Sequence, residues 1–327
     1  MRVNRALAGF LMLTAVYVVL LLWLDLRRRV FEGLPLLLDV LPVLVGLSLV
    51  SYVVRFLRWR WLLSRAGCPT PAGRGLLAYL AGFAFTATPG KVGELVRVRY
   101  FEPMGVPAWR VVSVFVYERA LDLVVILGFA AMSFDEPRLA AAVVIFVVIC
   151  LGLVFWCGRH PELLGTPARA LDRRGWTRVA KWMAVLRDGL VGSRVWLRSP
   201  DLAVGALLGG VAWGCTAWGF LYLLDQLGIT GLTVRTGLGV YPLSMLAGAA
   251  SMLPGGIGST EVTIVGLLTV QGAELGVAML AAICIRLSTL WFAIFCGLLA
   301  VVVLEAHPAP PAVREITNSS AIGPRRQ

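Results

Sequence analysis

Histidine is almost missing from this chain. It occurs only as His160 and His307, each followed by a proline at the end of an apolar run, which leaves a histidine-based metal site or catalytic triad without material. Lysine is nearly as scarce: Lys91 and Lys181 are the only two among thirty basic residues, so arginine carries almost all the positive charge. The six cysteines form no Cys-x-x-Cys pair and mostly fall inside apolar segments, where they read as small packing residues, not as a disulfide framework or zinc site. No nucleotide-binding loop is present, because Gly90-Lys91 lacks the glycine spacing before it and the Ser or Thr after it. The expectation is therefore no metal, no cofactor and no catalytic set. Charge of either sign is sparse, at 15% of residues against 59% apolar, and this shortage excludes a soluble globular domain.

What the chain has instead is apolar length. A mean hydropathy of +0.83 and several uncharged runs near twenty residues predict an all-α integral membrane protein, a polytopic helical bundle. The net charge of +12 would suggest a nucleic-acid partner in a soluble domain. Here the arginines flank apolar spans, the pattern of cytoplasmic loops, and no nucleic acid is expected.

Taken in order, Ala6–Leu24 is a first span, too long for a signal peptide and followed by Asp25-Leu26-Arg27-Arg28-Arg29 where a cleavage site would stand. Leu34–Val54 is a second. Arg55–Gly75, with five arginines and no acid, reads as a cytoplasmic loop, and Arg55, Arg58, Trp59, Arg60 and Trp61 as an interface belt. Trp109–Ser133 and Leu139–Cys157 are further spans. Between Gly158 and Ser199 nine bases face three acids, and Val179, Trp182, Met183, Leu186 and Leu190 recur at helical spacing, which predicts an amphipathic helix on the cytoplasmic leaflet. Leu202–Leu224, Leu232–Leu253 and Ala273–Leu304 complete the apolar set. One transmembrane domain, 1–304, is expected, with a disordered cytoplasmic tail over 305–327. Charge bias places the protein in the cytoplasmic (inner) membrane with its N-terminus inside, although Arg27, Arg28 and Arg29 dissent.

Two breaks organise this pattern. Thr86–Arg97 (TATPGKVGELVR) interrupts one apolar segment at Pro89-Gly90, and Ser251–Glu261 (SMLPGGIGSTE) interrupts another at Pro254-Gly255. The arms of the first break span about 15–20 Å each, short of a ~30 Å hydrocarbon core, so a re-entrant hairpin is the economical reading. Charge parity does not separate a hairpin from two full crossings; six spans plus two hairpins, or eight or more crossings, stay open. From Pro89 to Arg119 is 30 residues and from Pro254 to Arg286 is 32, so each break precedes a span with an arginine at matching depth. That suggests an inverted repeat, with units of about 34–157 and 200–304 joined by the basic stretch 158–199, and a site where the broken helices meet.

The residues at the breaks suit a polar headgroup. Gly90, Gly93, Gly255, Gly256 and Gly258 allow sharp turns and close approach, and the helices that follow direct free N–H groups into the site. Glu94 and Glu261 lie in first turns, where an acid is favourable in any case. Glu118, Arg119, Asp122 and Arg286 lie inside apolar spans, where each costs ~2.5–3.5 kcal/mol even on the mild insertion scale. A closed ion-pair network among Glu94, Glu118, Arg119, Asp122 and Arg286 would satisfy them with no ligand at all.

Arg55-x-x-Arg58-Trp59-Arg60, Pro89-Gly90-x-x-Gly93-Glu94-x-x-Arg97, Glu118-Arg119-x-x-Asp122, Pro254-Gly255-Gly256-Ile257-Gly258-x-x-Glu261 and the late Arg286, in this order, resemble the lysylphosphatidylglycerol synthase transmembrane-region, or flippase-like, family. The resemblance implies a protein that moves a lipid across the bilayer, with these motif residues along its path. Only 23 residues follow Leu304, so a stand-alone member without the soluble aminoacyl-transferase domain is expected, and its lipid need not be aminoacylated. The reading is a flippase for a polar-headgroup lipid, a phospholipid or lipid-linked glycan precursor. Its expected substrate-binding residues are Pro89, Gly90, Gly93, Glu94, Arg97, Glu118, Arg119, Asp122, Pro254, Gly255, Gly256, Gly258, Glu261 and Arg286. Arg97, Arg119 and Arg286 would contact a headgroup phosphate. Expected partners are membrane lipids and enzymes of envelope lipid or glycan synthesis. A membrane-embedded transferase or hydrolase with Glu94 or Glu118 as base, and a scaffold for envelope enzymes, are the alternatives.

Overall fold

The computed structural model describes residues 34–132, 175–229 and 231–308, with scattered positions between 138 and 173. The expected span Ala6–Leu24 and most of Leu139–Cys157 lie outside the described residues. Among the described residues every regular element is helical and no strand occurs. This is the all-α membrane fold expected, since lipid offers no water to backbone groups and a helix satisfies its own.

Helix α1, Leu34–Arg65, precedes α2, Ala72–Ala81, which tightens into a 3₁₀ turn over Gly82–Phe85. A 3₁₀ segment, Pro89–Val96, then leads into the short α3, Arg97–Phe101. Next come α4 (Ala108–Ala131), α5 (Thr177–Ser193), α6 (Ser199–Gln226) and α7 (Val234–Ala250). Past a turn at Pro254–Gly256, α8 covers Ser259–Val270 and α9 Leu275–Arg286; one π turn, Leu287–Trp291, joins α9 to α10, Phe292–Ala306. Among the described residues, three helices are long and apolar enough to cross a membrane: Leu38–Arg65, Ser199–Gln226 and Leu275–Ala306. At 24 residues α4 reaches about 36 Å and has the length as well, but it carries Arg110, Glu118, Arg119 and Asp122.

Helix α1 corrects the expected loop. It does not stop at Val54 but continues to Arg65, and it takes Arg55, Arg58 and Trp59 into the bundle, the last two with 0% exposure. The residues read as an interface belt are partly an interior face, because acids on α4 await them. At its far end, Arg65 pairs with the buried Asp201 at 2.9 Å and pins α1 to the start of α6.

Two apolar cores flank the middle of α1. Its first half, with Val40 and Leu44, packs with Phe220 and Leu223 of α6, Tyr241 of α7, Ile264 of α8 and Ile283 of α9. Its second half, with Phe56, Trp59, Leu62 and Leu63, packs with Tyr79, Phe101, Val114 and Trp196. Between the two lie Ser48, Ser51, Tyr52 and Arg55, spaced as one helical face. With lipid as apolar as leucine, close packing holds such helices together more than burial does. One close crossing brings Gly297 of α10 onto the backbone of the first broken segment. A Cβ there would overlap the Ala84 amide nitrogen and lie 2.7 Å from the Phe83 carbonyl carbon.

Helix α5 falls inside the stretch where an amphipathic helix was expected. It packs along α4, close enough that a Cβ on Gly189 would lie 3.0 Å from Val116 Cγ2. Beyond it, the Trp196 indole donates to the Leu62 carbonyl at 2.9 Å, and the Tyr117 hydroxyl donates to the Trp196 carbonyl at 3.0 Å.

The expected tail from 305 starts two residues inside α10, and residues 309–327 lie outside the described residues. Glu305 accepts from Arg99 at 3.0 Å and from the Tyr100 hydroxyl at 3.0 Å. Arg99 is largely exposed, so Glu305→Ala is expected to cost less than about 1 kcal/mol in thermal unfolding. A larger loss would mean that this contact closes the bundle.

Candidate functional site

The two breaks share one local backbone. Thr88 and Leu253 are extended, with ψ of 149° and 147°; a proline opens each turn; and Gly90 and Gly255 follow in the left-handed region, both at φ 62°. The next residue is left-handed as well: Lys91 at φ 56° in the first break, Gly256 at φ 65° in the second. The breaks also meet in space. A Cβ on Gly255 would lie 3.4 Å from Ala87 Cα and 3.3 Å from Leu290 Cδ2.

Beside their meeting point is a cavity of about 320 Å³. Its wall includes Ser51, Tyr52 and Arg55 of α1, Thr86 and Lys91 of the first break, Arg119 and Asp122 of α4, Trp213 and Thr216 of α6, and Tyr241 and Met245 of α7. Most of these lie near the middle of long helices, which puts the polar lining at mid-depth of the bundle. The rim is apolar: Met252, Leu253 and Leu123 border the cavity and are 63%, 47% and 37% exposed.

One wall is an ion network built between α1, α3 and α4. Arg58 donates to Glu118 at 2.9 Å and to Asp122 at 2.7 Å, all three side chains being sealed from the surface. Asp122 also takes Arg55 at 3.3 Å and Arg119 at 3.0 Å, while Glu118 takes the Tyr79 hydroxyl at 3.2 Å and Arg119 at 3.3 Å. Arg97 pairs with Glu94 at 3.1 Å, approaches Glu118 at 3.8 Å, donates to the Tyr79 carbonyl and lies 4.0 Å over the Tyr79 ring. Glu94 is further held by the Thr86 hydroxyl at 2.9 Å. Buried charge persists in such a setting when it is paired, which this network provides, although N–H groups of Arg58, Arg97 and Arg119 stay buried without an acceptor.

The second break is locked by one arginine. Arg286 donates to Glu261 at 2.8 Å and to the Gly255 carbonyl at 2.6 Å, and Glu261 in turn accepts from the Gly258 amide at 2.7 Å, capping the start of α8. The π turn that follows serves the same region. Its Thr289 carbonyl accepts from the Tyr52 hydroxyl at 2.8 Å, and the Thr289 hydroxyl meets that of Tyr241 at 3.1 Å.

Of the residues expected at the site, Gly90, Glu94, Arg119, Asp122, Gly255, Gly256 and Arg286 line the cavity. Pro89 and Pro254 open the two turns. Arg97, Glu118 and Glu261 stand behind the wall as partners of lining residues, Gly258 caps α8, and Gly93 packs under Phe85. Sequence reasoning missed Lys91 and Arg55 as lining residues, together with Tyr52, Trp213 and Met245. A signal for part of this was present: Ser48, Ser51, Tyr52 and Arg55 recur at i, i+3, i+4 and i+7, a polar stripe on an otherwise apolar helix. Among the described residues no cluster of His, Cys, Asp and Glu has the makings of a metal site.

No curated protein matches the chain. Residues 6–297 match the family model described as the lysylphosphatidylglycerol synthase TM region, a stretch that takes in both breaks, the ion network and the cavity. This multi-pass membrane protein thus belongs to the lysylphosphatidylglycerol synthase transmembrane-region family.

Proposed function

We propose that the protein is a flippase-like transporter that carries a polar-headgroup lipid across the cytoplasmic membrane. The observation that carries this reading is a cavity near the middle of the long helices whose otherwise apolar wall bears charged and hydroxyl side chains, with a mouth rimmed by exposed Met252, Leu253 and Leu123. A headgroup enters the cavity sideways while its acyl chains stay in the bilayer. Hydroxyls of Tyr52, Tyr241 and Thr216 and the charges of Lys91 and Arg119 replace the headgroup's water, the cost that otherwise keeps lipids in their leaflet.

In this reading the two broken segments are re-entrant hairpins that enter from opposite faces, the N-terminus is cytoplasmic, and residues 34–157 and 200–304 form an inverted repeat. The shared backbone of the breaks and their contact at Ala87 and Gly255 support it. A membrane-embedded transferase or hydrolase needs an uncommitted base near its substrate. The cavity's acids do not favour that alternative, since Glu94 and Asp122, with Glu118 behind them, are each engaged by arginine.

The test is translocation of fluorescent phospholipid in liposomes that contain the purified protein. Ala249 is exposed and borders the cavity, so Ala249→Trp narrows the mouth without entering a core. Wild type is expected to accelerate translocation and Ala249→Trp to slow it at least about fivefold, a barrier change of roughly 1 kcal/mol. Wild-type rates equal to empty liposomes would refute transport, and an unaffected tryptophan variant would refute this cavity as the route.

A further inference from the structure

The charges around the cavity do not balance. Arg55, Arg58, Lys91, Arg97 and Arg119 face Glu94, Glu118 and Asp122, so five cations meet three carboxylates and leave two positive charges over. The four arginines all have carboxylate partners. The Lys91 ammonium has no hydrogen bond or ion pair among the described residues, yet the residue lines the cavity. Arg119 lines it too, and its Nε is buried without a hydrogen-bond acceptor. Arg58 and Arg97 also keep buried N–H groups without an acceptor, but neither lines the cavity, and Arg286 is held by Glu261 and the Gly255 carbonyl; at the cavity wall the uncommitted donors are those of Lys91 and Arg119.

The backbone makes the same point independently. Lys91 stands where the second break has Gly256, in the same left-handed conformation. A glycine meets that requirement freely, whereas any residue with a Cβ is strained there. The turn itself therefore gives no reason for a lysine, and strain of this kind belongs with contacts made by the side chain.

We infer that Lys91, with Arg119 beside it, selects a headgroup of net negative charge: a phosphate ester with no amine to neutralise it. The inference rests on the lipid-path reading above and narrows it to anionic lipids. A phosphate group needs such cations because each charge-assisted hydrogen bond replaces water it gives up on leaving the interface.

The experiment uses full-length protein in detergent, with short-chain phosphatidylglycerol, phosphatidic acid, phosphatidylcholine and inorganic phosphate as probes, read by native mass spectrometry and thermal shift. Wild type is expected to bind both anionic lipids about tenfold more tightly than phosphatidylcholine, and inorganic phosphate far more weakly. Lys91→Gly should abolish that preference while melting no lower than wild type, since it relieves the strained turn; Lys91→Arg should restore it. Equal binding of phosphatidylcholine by wild type, or a preference that survives in Lys91→Gly, would overturn the inference. Inorganic phosphate that binds as tightly as the lipids would overturn its lipid part and point to a free anion. The two readings fail separately: an anionic preference without translocation in liposomes sinks transport alone, and equal translocation of phosphatidylcholine and phosphatidylglycerol sinks only the charge selection.

Discussion

Arg58→Ala is expected to destabilise the protein by about 3–5 kcal/mol, the usual cost of leaving buried charges without their partner. Arg58 has 0% exposure and holds Glu118 and Asp122 together on α4 from the neighbouring α1. Its loss takes from both carboxylates their shortest contact in a sealed region and leaves a void against α6, where Gly209 lies close enough that a Cβ would meet Arg58 Nη1 at 2.5 Å. Lysine cannot replace it, because one ammonium does not reproduce the planar fork that reaches two acids. Arg60, two residues on, is exposed and is the matched control: Arg60→Ala should be near neutral. Thermal unfolding in detergent reads the difference. The double variant Arg58→Met with Glu118→Gln should lose less than the sum of its parts, since it removes charge from both sides. A drop of under about 1 kcal/mol for Arg58→Ala would show that Arg55 and Arg119 suffice, and that the network is redundant.

Gly297→Leu is the second large effect, at about 3 kcal/mol or a failure to accumulate folded protein. The obstruction is backbone, not a side chain that can turn away: the Phe83 carbonyl carbon and the Ala84 Cα lie 2.7 and 2.9 Å from where a Cβ would sit. Helix α10 would have to back away from the first broken segment, which also carries Thr86 and Glu94. Even alanine demands a shift there. By contrast, Gly128→Ala and Gly210→Ala meet open space and are expected to be tolerated. Yield and monodispersity by size exclusion, compared across the three variants, check the claim. A Gly297→Leu protein that melts like wild type would mean the crossing is looser than these distances state.

The breaks were legible in the sequence because Pro-Gly inside an apolar run has few other meanings. Three spans, within Leu38–Arg65, Ser199–Gln226 and Leu275–Ala306, were legible too, for the same physical reason: lipid demands a minimum apolar length. The fate of Arg55 and Arg58 was not. An arginine beside tryptophan at the end of an apolar run looks the same whether it faces headgroups or an acid on another helix, and the deciding partners, Glu118 and Asp122, lie 60 or more residues away. For α5 the apolar stripe was visible, but a stripe fits a leaflet as well as a neighbouring helix; Gly189 was the sign of close packing. Lys91 was noted but not assigned to the site, because what sets it apart is the lack of an acidic partner for its side chain, and only three dimensions show that. An ion network is present around Glu94, Glu118, Arg119 and Asp122, but not the one expected: Arg286 pairs with Glu261 instead, and Arg55, Arg58 and Arg97 complete it beside the cavity.

The contact between Ala87 and Gly255 has a last consequence. Backbone lies close to backbone there, with Leu290 beside them, which leaves little room for a side chain between the two breaks. On the transport reading proposed above, a lipid would pass beside them, along the face bearing Tyr52, Trp213 and Met245. The passage would then be a furrow on one flank of the bundle and not a pore down its axis, a route that a two-tailed molecule can follow without being enclosed.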